Sequence, residues 1–85
     1  MRNQSEYSEV ELVNELRHGS HFAFEQLYRR YAPRLTMKLI SLLRDEELAG
    51  DVLQDLFIKL WEIREQIEPE QSLRGYLYTI ASNMA

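Results

Sequence analysis

Asp51 and Asp55 stand one helical turn apart, and His18 and His21 stand three residues apart. Paired carboxylates do acid–base work when burial separates their proton affinities. Two on an exposed helix face are solvated, and nothing beside Asp51 and Asp55 marks an acid–base pair. The two histidines flank a helix break at Gly19 and Ser20, which places them at a turn and not at metal-ligand spacing. No nucleophile elbow or Gly-rich phosphate loop occurs, and there is no cysteine. The sequence therefore predicts no catalytic set, no metal and no cofactor.

Residues suited to recognition are better represented. Asp51, Gln54, Asp55, Ile58, Lys59, Trp61 and Glu62 share the side of a helical pattern opposite its apolar stripe. An apolar side chain and a large aromatic among acids and an amide suit a mixed binding surface. Trp61 has two placements compatible with the pattern: on that surface, or curled into the core with the acids merely solubilising the helix. Arg74, Tyr76, Tyr78 and Asn83 follow a loop at 66–72. Tyrosine rings stack on unpaired bases and an amide bonds to base edges. Core packing accounts for Tyr76 equally well.

Apolar residues recur at three- and four-residue spacing, and β-branched residues are few, which predicts an all-α chain. A helix opens at Ser8 with Glu11 completing a capping box, presents Val10, Leu12, Val13 and Leu16, and stops at Gly19. A second starts after Ser20, runs to about Leu43 and aligns Phe24, Leu27, Tyr28, Tyr31, Leu35, Leu39 and Leu42, with a kink or break expected at Pro33. A third is capped by Asp45 and carries apolar positions from Leu48 through Val52, Leu53, Leu56 and Leu60 to Ile63 and Ile67. Ser72 caps a fourth, with Leu73, Tyr76, Leu77, Ile80 and Ala81 inside. The expected architecture is a compact bundle of three to four helices in a single domain over 1–85, with an N-terminal helix in 1–19 and the core in 20–85. The pattern runs to Ala85 without a stop signal, so a longer natural protein is expected.

The chain has 85 residues and a net charge of −4, and 45% of its residues are hydrophobic, a globular composition. No apolar run reaches membrane-spanning length and the N-terminus lacks a signal-peptide core, which predicts a cytoplasmic protein without membrane insertion. The overall acidity argues against nucleic acid until its placement is considered. Segment 45–70 holds nine acids against Lys59 and Arg64, so the negative field belongs to the third helix and the loop behind it. A basic partner is drawn there, and a polyanion approaches elsewhere.

Three segments carry a resemblance. Phe24-Glu-Gln-Leu-Tyr-Arg-Arg-Tyr31, then Gly50-Asp-Val-Leu-Gln-Asp-Leu-Phe-Ile-Lys-Leu-Trp61, then Leu73-Arg-Gly-Tyr-Leu-Tyr-Thr-Ile-Ala-Ser-Asn83 resemble subregions 2.1, 2.2 and 2.3 to early 2.4 of bacterial RNA polymerase sigma factors of the extracytoplasmic-function group. The resemblance implies a non-enzymatic promoter-specificity factor that binds core polymerase and recognises and melts the −10 element. Asp51, Gln54, Asp55, Ile58 and Trp61 would dock on the β′ clamp helices. Loop 66–72 would capture a flipped base of the −10 non-template strand, with Gln71, Ser72, Arg74, Tyr78 and Asn83 as the DNA-binding residues. It also implies an anti-sigma factor as a partner for the polymerase-binding face, and a C-terminal region 4 domain that this chain lacks. Gly50 departs from the Glu common in the family, and Ser82 from a frequent Arg. The alternative from composition is an acidic helical interaction module, adapter or inhibitor, with no DNA role. Under it Tyr76, Tyr78 and Asn83 have no task.

Overall fold

The computed structural model describes residues 7–85, so the expected N-terminal unit is seen from Tyr7 onward and 1–6 lie outside the described residues. The described residues form helices α1 (Glu9–Arg17), α2 (His21–Leu43), α3 (Glu46–Glu62) and α4 (Leu73–Met84), with a short 3₁₀ turn at Arg64–Gln66 between the last two. The all-α expectation is met.

Each helix starts where a short polar side chain replaces a missing backbone partner. Ser8 Oγ accepts the Glu11 N–H at 3.0 Å, Ser20 Oγ that of Ala23 at 3.1 Å, Asp45 Oδ1 that of Leu48 at 3.0 Å, and Ser72 Oγ that of Gly75 at 3.1 Å. Such caps contribute about 1 kcal/mol each. At the end of α1, Gly19 adopts φ +89°, and the N–H groups of Gly19 and Ser20 return to the carbonyls of Leu16 and Glu15. That double return is a Schellman closure, and the left-handed residue in it suits glycine.

The break allowed for at Pro33 does not occur, and one expected boundary is corrected. Helix α2 runs without interruption through Pro33. Pro33 and Arg29 are both exposed, so the Arg29 carbonyl that loses its donor lies on the solvent side of the helix. Helix α3 ends at Glu62 and not near Ile67, because Arg64 Nη1 donates back to the Trp61 carbonyl at 2.8 Å and the chain turns. Ile67 is still buried, but it enters the core from the loop.

Helix α2 is the axis of the fold, packed by α1, α3 and α4. Leu12, Leu16, Leu27, Leu35, Leu39, Leu56, Leu60, Leu73 and Leu77 fill the interior, and Ala23, Ala32, Ala49 and Ala81 allow close approach of the backbones. Val10, Leu48 and Tyr76, expected inside, are exposed instead. At about 100° per residue each sits some 100° or more from the centre of its helix's buried arc. Leu42 is on the correct arc of α2 but half exposed, because it falls in the helix's last turn. Tyr28 is also partly exposed and lies against Phe57, with ring centroids 4.7 Å apart.

Candidate functional site

Helix α3 buries Leu53, Leu56, Phe57 and Leu60 against the bundle and leaves Asp51, Gln54, Asp55 and Ile58 exposed in a row on the other side. Neither Asp51 nor Asp55 has an ion-pair partner among the described residues. The row borders an open groove of about 390 Å³ between α2 and α3, lined by Phe24, Tyr28, Gly50, Leu53, Gln54, Phe57 and Ile58. Gly50 leaves open space where a Cβ would project.

Trp61 resolves between its two sequence-level placements by taking neither fully. It is half-buried, with its ring edge-on to Phe24 at 5.5 Å and stacked on His21 at 4.7 Å, while the Arg64 guanidinium lies 4.3 Å from its centroid. Spacing alone assigns Phe24 and Tyr28 wholly to the core. Their place in the groove wall escapes it because an apolar stripe does not show where its edge meets solvent.

The loop after α3 forms a second concavity, about 120 Å³, lined by Gln66, Ile67, Gln71, Ser72, Leu73 and Tyr76. The Gln71 N–H closes it by donating to the Glu68 carbonyl at 3.1 Å. Ser72 lines this pocket while its oxygen caps α4, so its hydroxyl proton remains to be donated. Ile67 and Leu73 give an apolar floor, and Gln66 and Gln71 bring amides able to both donate and accept.

The five residues expected to meet DNA do not share one surface. Gln71 and Ser72 line the loop pocket, and Asn83 lies exposed on the same stripe of α4 as Tyr76. That is seven residues on, about 10 Å along the axis. Arg74 and Tyr78 occupy the other flank of α4 and line a cleft with Arg30, Tyr31 and Arg34 of α2. There the Arg74 guanidinium lies 5.6 Å and the Lys38 ammonium 5.9 Å from the Tyr78 ring centroid.

Residues 27–85 match the family model for sigma-70 region 2. The chain belongs to the sigma-70 family of sigma factors. It is also similar to the RNA polymerase sigma factor CarQ of Myxococcus xanthus, at 37% identity over 73 residues. That alignment takes in 86% of this chain and 42% of the relative, so the chain spans less than half of that protein's length. No solved structure matches the chain significantly.

All the residues singled out above on α3, the loop and α4 fall inside the sigma-70 region 2 span. His21 and Phe24, which hold Trp61, precede it. In this sigma-70 domain the described residues contain no group of acids and histidines able to hold a metal ion, and no helix long and apolar enough to cross a membrane.

Proposed function

We propose that this sigma-70 domain is the part of a promoter-specificity factor, of the extracytoplasmic-function group, that docks on core RNA polymerase and recognises and melts the −10 element. The observation that carries the reading is the pairing of two features. An acidic α3 face without internal ion pairs borders an apolar groove, and a separate small pocket follows it at 66–76.

The α3 face suits a basic helical surface such as the β′ clamp helices. Asp51 and Asp55 steer and orient the approach, since complementary charge raises association rate and selects partners more than it fixes affinity. Ile58 and the groove beside it supply the apolar area that desolvates on docking. An anti-sigma factor would compete for this same face. The loop pocket suits one base of the non-template strand: apolar floor against its face, amides and the Ser72 hydroxyl against its edge, Asn83 farther along the exposed stripe. Extruding a base costs a few kcal/mol, and these interactions offset it. The protein contributes binding energy and no bond chemistry.

The test is capture of core polymerase by the chain, with Gln54→Ala and Asp55→Ala combined. The double variant should retain its helicity and lose most of the captured polymerase. Equal capture by parent and variant would remove α3 as the docking face.

A further inference from the structure

A pocket of about 260 Å³ lies between α1 and the first turn of α2, and the reading above gives it no task. Tyr7, Glu11, Asn14, Glu15 and Phe22 line it, with the buried Leu12 among them. Every one of these residues precedes position 27, where the match to sigma-70 region 2 begins. The Schellman closure at Gly19 turns the chain so that Phe22 comes back against α1. Glu11, Asn14 and Glu15 stand three and four residues apart, so they share one face of that helix.

The pocket joins two kinds of surface that are costly to leave side by side. Phe22 keeps 52% of its surface in solvent, and its ring stands edge-on to Tyr7, with centroids 5.5 Å and planes 69° apart. Tyr7 is itself anchored, since the Arg30 guanidinium donates to its carbonyl at 3.0 Å. Beside these rings lie two carboxylates one turn apart, a spacing at which like charges destabilise a helix. Glu15 has no ion-pair partner among the described residues, and the lining contains no cation. An anion would be repelled here. A neutral apolar group would strip water from the carboxylates and return nothing for it. Two acids without a third ligand do not make a metal site. A cation on an apolar stem satisfies both surfaces at once.

We infer that this pocket receives the side chain of an arginine carried by a basic protein segment. The methylene stem covers Phe22 and Leu12, while the guanidinium meets the carboxylates of Glu11 and Glu15. A planar guanidinium stacks on an aromatic face and offers a carboxylate a two-pronged bond, which an ammonium does not. The Asn14 amide oxygen can accept a further N–H. The volume is below the roughly 300–1,000 Å³ of sites for drug-sized ligands, so it takes one side chain and not a folded element. The pocket shares no residue with the α2–α3 groove, so the inference stands apart from the polymerase-docking reading.

The experiment titrates the isotope-labelled chain with the blocked peptide acetyl-Gly-Arg-Gly-amide at low salt and follows backbone amide signals by NMR. Saturable shifts should centre on Glu11, Glu15 and Phe22. Phe22→Ala should weaken binding about two- to fivefold, the size of an exposed cation–aromatic contact. Glu15→Gln should weaken it by roughly the same factor and flatten its salt dependence. Both side chains are exposed, so circular dichroism should show the parent's helicity in each variant. The matching citrulline peptide, equal in shape but uncharged, should fail to saturate, and the lysine peptide should bind more weakly than the arginine one. Shifts confined to α3, or an affinity that neither substitution changes, overturn the inference. Equal binding of the citrulline peptide overturns the charge requirement, and tighter binding of the lysine peptide overturns the choice of arginine. The combined Gln54→Ala and Asp55→Ala variant should bind the peptide as the parent does, so loss of polymerase capture and loss of this pocket are told apart.

Discussion

The imidazole of His21 stacks on the indole of Trp61, with ring centroids 4.7 Å and planes 16° apart. The first residue of α2 thereby fixes the aromatic at the end of the exposed α3 face, and Phe24 and Arg64 complete its surroundings. Trp61→Ala should cost about 2 kcal/mol, below the 3–5 kcal/mol of a fully buried aromatic because the ring is half exposed. His21→Ala should cost about 0.5–1 kcal/mol, the worth of an aromatic pair. Urea midpoints measure both. A Trp61 variant as stable as the parent would mean that the ring does not hold the α2–α3 seam.

Gly50 lies inside α3 with nothing within 4 Å of the position its Cβ would take. Gly50→Ala should therefore stabilise the domain by about 0.5–1 kcal/mol through helix propensity. The same methyl projects into the groove bounded by Phe24 and Ile58. Polymerase capture should fall as thermal stability rises. Higher stability with unchanged capture would show that no partner atom reaches the groove floor at this point.

Tyr31 joins α2 to α1 through its hydroxyl, which donates to Glu9. Burial, with the Glu9 carboxylate next to it, raises the phenol's pKa above its ordinary value of 10.0. The folded state thus keeps a proton that the unfolded chain releases first. Stability from this group is complete below about pH 10 and declines as pH rises above it. Tyr31→Phe should lose about 1–2 kcal/mol at neutral pH, as expected for a hydrogen bond to a charged acceptor. It should also show a shallower alkaline decline than the parent in chemical denaturation from pH 9 to 11. Parallel declines would remove Tyr31 as the group responsible.

Asn83 shares its stripe of α4 with Tyr76, which lines the loop pocket, and under the proposed reading its amide acts on base preference. In promoter opening by the complete factor, Asn83→Ala should change the ranking of bases at the captured −10 position. A loss of about 1–3 kcal/mol of discrimination is the size expected for one base-edge interaction. Uniformly reduced opening with the ranking intact would make Asn83 a structural residue.

Much of this molecule is written locally. Ser8, Ser20, Asp45 and Ser72 each bond to an N–H three residues on, so their helix starts are visible in a four-residue window. The acids of α3 and its leucine stripe repeat at helical spacing, so the existence of an acidic face follows from the sequence alone. Periodicity does not tell where α3 stops. Ile67 continues the apolar spacing, yet the helix ends five residues earlier because Arg64 folds back on Trp61.

The cations Arg30 and Arg34 are equally visible, but in sequence they have the look of an ordinary solvated stripe on a scaffold helix. They line a cleft only because α4 packs across α2 and sets Arg74 and Tyr78 opposite them. The same packing divides the expected DNA residues between two flanks of α4, since Leu73, Leu77 and Ala81 turn the arc between them into the core. Spacing along a chain determines which residues share a helix face. Which faces meet is decided by burial among helices distant in sequence, a cooperative choice that no local window contains.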